Sequence, residues 1–170
     1  MTDVETVYLD LETTGLSPKT EEVVEVAICD DRGRPLIDTL VRPARKRSWP
    51  YAERVHGISP AMVRDRPRLA DILPEIHEAV RGKRLVIYNS SFDLGFFEDG
   101  LAAALEARCA MREYAAWRKA PGGRGGGYKW FKLADAARAC NHVWTGDAHR
   151  ALADALACRT VWNWVRAAGE

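Results

Sequence analysis

The sequence predicts an α/β fold, a mixed β-sheet with helices packed against it. Three observations lead there. Short runs rich in Val, Ile and Leu come first, a further apolar strand lies between two helical patterns, and amphipathic helices close the chain. At 170 residues and 47% hydrophobic content, residues 1–170 suffice for one domain that buries its core without disulfide or metal staples.

The first three segments, "TVYLDLE", "EEVVEVAICDD" and "PLIDTLVRP", are separated by "TTGLSPKT" and "DRGR", the pattern of an antiparallel meander. "RKRSWPYAERVHGISPAMVRDRP" starts loop-like and ends in a short helix at "SPAMVRD", with Pro60 in its first turn, where a missing N–H costs nothing. "LADILPEIHEAVRG" reads as a helix ended by Gly82, "RLVIYN" as a fourth strand, and "SSFDLGFFEDGLAAALEA" as a helix with a serine cap. The pattern breaks at "KAPGGRGGGYKW", where five glycines and a proline within twelve residues predict a backbone that stays mobile unless something binds it. Two helices follow, "KLADAARAC" and a long amphipathic one starting near "GDAHRALADALACRTVWNWVRAA".

No apolar run of about 18 residues occurs, and "MTDVETVYLD" lacks the basic start and apolar stretch of a signal peptide, so a cytoplasmic protein without membrane contact is expected. Cys29, Cys109, Cys140 and Cys158 stand singly, without C-x-x-C or matching His spacing, and read as reduced filler. The net charge of +1 conceals an asymmetry: residues 1–31 hold nine acidic side chains and one basic, residues 108–132 seven basic and one acidic. An acidic cluster for cations beside a basic segment for phosphates suits a nuclease better than a protein that coats DNA.

The acids sharpen this reading. Asp10 and Glu12 alternate on the first strand, so both carboxylates emerge on one face of an otherwise apolar run, and no Lys or Arg lies near them in sequence. Like charges held that close raise each other's pKa, which folding tolerates only with a proton, a partner or a cation between them. Oxygen donors without His or Cys point to a hard cation, Mg2+ or Mn2+. Asp93, just past the fourth strand, and Asp154, one turn into the last helix, also interrupt apolar neighbours. Four carboxylates converging from three segments suit two divalent cations roughly 4 Å apart, the arrangement for in-line attack on a phosphodiester. His149, five residues before Asp154, would point away from it on a continuous helix but can swing inward from a frayed first turn, where an imidazole can take a proton near neutral pH. His77 and His142 read as surface or capping residues.

In this order, "DLETTGL", "RVHGIS", "NSSFDLGFF" and "HRALADA" resemble the DEDDh 3'-to-5' exonucleases, the superfamily of the epsilon proofreading subunit of bacterial replicative polymerase, exonuclease X and RNase T. The likeness runs from Val7 to about Ala157. It implies a ribonuclease H-like fold, with a five-stranded mixed sheet, its first three strands antiparallel neighbours, and helices on both sides. It also implies that Asp10, Glu12 and Asp154 hold the metal carrying the attacking water, that Asp10 and Asp93 serve a second metal near the leaving oxygen, and that His149 is the general base. Thr13, Thr14, Gly15 and Leu16 lie where family members hold the terminal nucleotide, and Gly15 lets the backbone turn closely there. His56 and Ile58, in the further motif, join this substrate-binding set. A polymerase or repair protein is a candidate partner by the same resemblance.

An exonuclease recognises one end, so metals, a pocket for the last nucleotide and a few basic or aromatic contacts suffice without a deep basic groove. Arg124, Lys129 and Trp130 form a candidate substrate arm that tracks phosphates and stacks on a base, although Trp130 can equally anchor the next helix. Trp162 and Trp164 read as packing residues. The leading expectation is a metal-dependent exonuclease acting on 3' ends of single-stranded or frayed DNA; an exoribonuclease with the same chemistry comes second. A nuclease-dead adaptor is the third, and its signature would be a missing acid or histidine, whereas all five are present.

Overall fold

The strands β1 (Thr6–Thr13), β2 (Val23–Asp30), β3 (Pro35–Leu40), β4 (Arg84–Ile87) and β5 (Glu106–Cys109) form one mixed sheet in the order β3-β2-β1-β4-β5. This computed structural model describes residues 4–122 and 126–169. The first three strands pair antiparallel, as a meander joined by short turns must, and β4 and β5 add on in parallel. β1 therefore runs through the middle of the sheet.

A central strand covered on both faces has to be apolar on both, and β2 is buried along its whole length. Val7, Leu9 and Leu11 of β1 pack with Ile72, Ile76 and Val80 of α3 (Leu69–Val80) on one face. On the other, Tyr8, Cys29 and Val86 meet three helices: α5 (Ala110–Arg118), α6 (Leu133–Ala139) and α7 (Ala151–Ala167). Alternation puts Asp10 and Glu12 on the Tyr8 side, under α7. The helix can lie close because Ala151, Ala153, Ala155 and Ala157 are its buried residues near the N-terminal end.

The helices expected at Pro60 and over "LADILPEIHEAVRG" are present as α2 (Pro60–Val63) and α3, the latter followed by Gly82 at φ +67°. Other stretches differ. The helix expected over "SSFDLGFFEDGLAAALEA" is a single turn, α4 (Ser90–Asp93), continued by a 3-10 turn over Leu94–Phe96. Its N-cap is Asn89, with no side-chain cap hydrogen bond, rather than a serine. Gly100 and Leu101 then take left-handed φ values of 59° and 58°, which no helix accommodates, and the chain is freed to form β5. The segment read as loop-like before Pro60 contains α1 (Pro50–His56), and α5 was not anticipated. α7 begins at Ala151 with Arg150 as its N-cap, so His149 precedes the helix.

Among the described residues no helix is long and apolar enough to cross a membrane. All four cysteines are free thiols, and Cys29, Cys140 and Cys158 are buried.

One close approach bears on the site. A Cβ on Gly95 would stand 2.8 Å from Cγ of Pro18, so only glycine lets the turn after Asp93 press against the loop after β1. Gly95→Ala is expected to destabilise the fold by about 1–3 kcal/mol, the usual range for overpacking. Pro18→Ala, which removes that Cγ, should restore part of the loss in the double variant; strictly additive melting shifts would show that the two residues do not meet.

Candidate active site

The site sits where β1 ends. Asp10 and Glu12 project from the strand, and a register shift between Glu12 and Thr13 gives β1 a local irregularity directly after the second acid. α7 crosses above and brings Asp154, in its first turn, to the same point. One carboxylate oxygen each from Asp10, Glu12 and Asp154 lies within 4.8 Å of the others. α4 supplies Asp93 from the side of β4, with 4% of its surface exposed.

Burial first, and then the charge of Asp93, hold the Asp10 carboxyl well above its ordinary range, with Asp154, Glu12 and Glu25 adding to it. Burial raises Glu12 to about 9, reinforced by Asp154 and Glu25. Asp93 is pushed up by burial to about 7, against the opposing pull of backbone amides that include that of Leu11. Asp154 is raised by burial as well, against the His149 amide, whose N–H donates to its Oδ1 at 3.2 Å. Four acids in this state favour whatever brings positive charge among them.

Arg150 is the nearest candidate, and it is already engaged. Its guanidinium donates through Nε to both oxygens of Glu25 at 3.1 Å and through Nη2 at 2.5 Å. Glu25 also accepts the backbone N–H of Ala151 at 2.9 Å, so one carboxylate closes the ion pair and caps α7. Glu25 faces Glu12 directly across the β1–β2 ladder and is only 2% exposed. The sequence reading missed both residues. The available signal was a Glu with apolar neighbours on each side in a fully buried strand, "VVEVAI", which demands a partner as surely as Asp10 does.

The acids expected from sequence thus come together, three within ligand distance and Asp93 alongside. His149 lies at the rim with its imidazole exposed and its backbone left-handed, at φ 66°. Its link to Asp154 runs through the backbone N–H, so the helical phase expected from their five-residue spacing does not apply.

Around the rim, Thr13 and Thr14 are buried and spend their hydroxyls internally. Thr13 Oγ1 donates to the Gly15 carbonyl at 2.7 Å, while Thr14 Oγ1 donates to Glu21 at 2.7 Å and accepts the Glu22 N–H at 2.9 Å. Gly15 has no left-handed φ; the space a Cβ would need holds the Glu21 side chain, 2.9 Å away. Leu16 is 87% exposed. His56 is buried, and because its Nδ1 accepts the Ile58 N–H at 3.0 Å, Nε2 carries the proton and donates to the Thr13 carbonyl at 3.1 Å. Burial lowers its pKa, which keeps this neutral form. Ile58 is fully buried in a cluster with Val24, Trp49 and Val63 and does not reach the rim.

Of the expected substrate arm, Arg124 lies outside the described residues. Trp130 is 63% exposed, which excludes its alternative role as a core anchor, and Lys129 is exposed beside the Phe131 ring at 5.4 Å. Trp162 is buried and Trp164 partly exposed.

A model of the RNase_T exonuclease family matches residues 7–161. An uncharacterised exonuclease of Escherichia phage 186 is 38% identical over 160 residues, which cover 87% of this chain and 81% of the phage protein. The DNA polymerase III epsilon subunit of Salmonella typhimurium is 33% identical over 101 residues, 54% of this chain and 41% of that subunit. Among solved structures, exonuclease X in complex with 5' overhanging duplex DNA superposes with a TM-score of 0.69 at 27% identity, over 97% of this chain and 93% of that one. The five-stranded mixed sheet is thus of the ribonuclease H-like exonuclease type. A match spanning residues 7–161 and a relative sharing most of its length leave one assignment: the chain belongs to the RNase_T exonuclease family.

Proposed function

We propose that residues 1–170 act as a single DEDDh-type 3'-to-5' exonuclease domain, releasing nucleoside 5'-monophosphates from DNA 3' ends with two divalent cations, Mg2+ or Mn2+. The observation that carries this is the convergence of Asp10, Glu12 and Asp154 within ligand distance, with Asp93 alongside. The donor set fits a hard cation: every donor is a carboxylate oxygen, and the adjacent guanidinium is bound to Glu25. Divalent cations held there would polarise the scissile phosphate and acidify the attacking water.

The chain's own residues supply the rest. Asp10, Glu12, Asp93 and Asp154 hold the charge that the cations neutralise. His149, exposed at the rim, accepts the proton of the attacking water, an imidazole being matched to proton transfer near neutral pH. The exposed Leu16 side chain packs against the terminal base, on a turn kept rigid by the buried Thr13 and Thr14 hydroxyls and the His56 ring. Glu25 and Arg150 are positioning residues: they anchor the junction from which His149 and Asp154 both extend, and they keep a fifth uncompensated carboxylate out of the cluster. DNA as substrate is supported by the likeness to exonuclease X, solved with 5' overhanging duplex DNA, and a polymerase as partner by the likeness to the epsilon subunit. Single strands are favoured in this reading because a site that takes one 3' end needs that end unpaired.

Asp10→Ala or Asp154→Ala should abolish turnover of 3'-labelled DNA in Mg2+ while leaving the metal-free protein as stable as wild type or more so, since one repelling charge is gone. Near wild-type cleavage by either variant would sink the assignment. His149→Ala should lower kcat by about 10²–10⁴ with little change in metal affinity, the usual range for a lost general base, and His77→Ala should do almost nothing. Equal losses would remove His149 from that role.

Stability should also follow pH in a defined direction. Glu12 has a folded pKa of about 9 against an ordinary 4.5, so its contribution is fully present below about pH 4.5 and is lost as pH rises through 9; Asp93, at about 7, behaves alike. The melting temperature of metal-free protein should therefore fall between about pH 5 and pH 9, and Mg2+ should remove most of the decline. A profile unaffected by Mg2+ would contradict cation binding at these acids.

For the positioning pair, Arg150→Ala should lower kcat for dinucleotide and oligonucleotide alike, leaving KM nearly unchanged, and Arg150→Lys should recover only part because it lacks the planar fork. A loss confined to melting temperature would reduce the pair to a structural element.

A further inference from the structure

Besides the basic stretch at residues 108–132, residues 42–68 hold eight basic side chains against two acidic ones. The fold gathers five of these cations. Arg42, Lys46, Arg47, Arg64 and Arg68 line an open pocket of 380 Å³ over Trp49, and among the described residues no carboxylate lines it. Lys46 pairs with Glu21 at 2.7 Å. The hydrogen bonds of Arg42 and Arg47 go to backbone carbonyls, and among the described residues no carboxylate pairs with either.

The pocket is connected to the site of chemistry in two ways. Its walls are bonded toward the rim: Lys46 reaches Thr14 through Glu21, and Trp49 Nε1 donates at 2.8 Å to the carbonyl of the buried Ile58, whose N–H donates to the His56 ring that holds the Thr13 carbonyl. A second groove, of 420 Å³, shares Arg42 and Arg68 with it and runs to Pro18 and Gly95, which lie two residues beyond Leu16 and Asp93 respectively. Glu21, Glu22 and Glu98 also line that groove. Glu21 is engaged by Lys46 and Thr14, and Glu22 by the backbone N–H groups of Ala44, Arg45 and Lys46. Glu98 is an exposed carboxylate on the same lining as Gly95, opposed in the groove by Arg42, Arg45 and Arg68.

We propose that this groove and pocket bind the phosphodiester backbone of the strand whose 3' end lies at the acid cluster, an inference that rests on the exonuclease reading. Guanidinium forks match phosphate oxygens in pairs, and an open path of this volume exceeds the needs of one small anion. A series of arginines leading away from the acids suits a ligand with a charge at every repeat.

The test is the double variant Arg47→Glu/Arg64→Glu, with its melting temperature confirming the fold. With single-stranded DNA of about 20 nucleotides, KM should rise about tenfold or more, and the salt slope should flatten by about 1.4, about 0.7 for each lost contact. The KM penalty should be absent on a dinucleotide, which is too short to reach the pocket. In EDTA, where turnover is suppressed, fluorescence anisotropy of the labelled oligonucleotide should show the same weakened binding. Unchanged KM and salt slope on the long substrate would overturn the proposal. So would a loss of binding to a polyglutamate peptide with oligonucleotide binding intact, since the pocket would then dock acidic protein. If wild-type protein degrades no nucleic acid but its binding of the oligonucleotide in EDTA still depends on Arg47 and Arg64, strand binding stands and the exonuclease reading falls.

Discussion

Like charges held together out of water set the terms for this molecule, because Asp10, Glu12, Asp93 and Asp154 converge on one point under α7 and each raises the cost of ionising its neighbours. A surface loop would let such acids splay apart. Here two are carried on the central strand of the sheet, one on a helix packed against that strand, and one on a turn pinned at Gly95. The apolar packing of β1 and β2 on both faces is what resists the repulsion. In the proposed two-cation reading, cation binding and folding would therefore be coupled through the same four side chains.

The Glu25–Arg150 pair shows how the fold manages the charge it does not need. Glu25 faces Glu12 across the ladder and would belong to the cluster if it were unpaired. Its bonds to Arg150 and to the Ala151 amide turn it instead into the anchor of α7. A buried ion pair of this kind is a weak source of net stability, since desolvation offsets most of the attraction, but breaking it by removing one partner is costly. Its value lies in orientation. The chain reverses at left-handed His149, passes through the clamped Arg150, and enters the helix that carries Asp154.

A second frame of hydrogen bonds surrounds the first. Thr14, Glu21 and Lys46 link the loop after β1 to the chain after β3, and His56 fastens the Thr13 carbonyl to α1 and the turn that follows it. These bonds leave Leu16 as the exposed apolar tip of an otherwise internally satisfied turn. Side chains that read from sequence as substrate ligands are thereby occupied within the protein. The Thr13 and Thr14 hydroxyls and the His56 ring shape the turn, and Ile58 fills the core beneath it.

By itself, the sequence determined the antiparallel meander, the fourth strand, the small helix at Pro60 and the acids of the site, because each depends on short-range pattern: period-two apolar alternation, proline at a helix start, carboxylates where only apolar residues belong. It did not disclose β5, whose four residues "EARC" carry no β-branched side chain and become a strand only because β4 offers them an edge. Nor did it disclose α1, which starts at Pro50 without a side-chain cap, or the end of α4, where the pressure of Gly95 against Pro18 and the left-handed turn at Gly100 override helical propensity. Only the tertiary structure decided that Glu25 and Arg150, 125 residues apart, neutralise each other, and that the cations between β3 and α3 gather around one pocket. Pairing of charges across such distances follows from the register of strands and the seating of helices, and local sequence carries no trace of either until the core has closed.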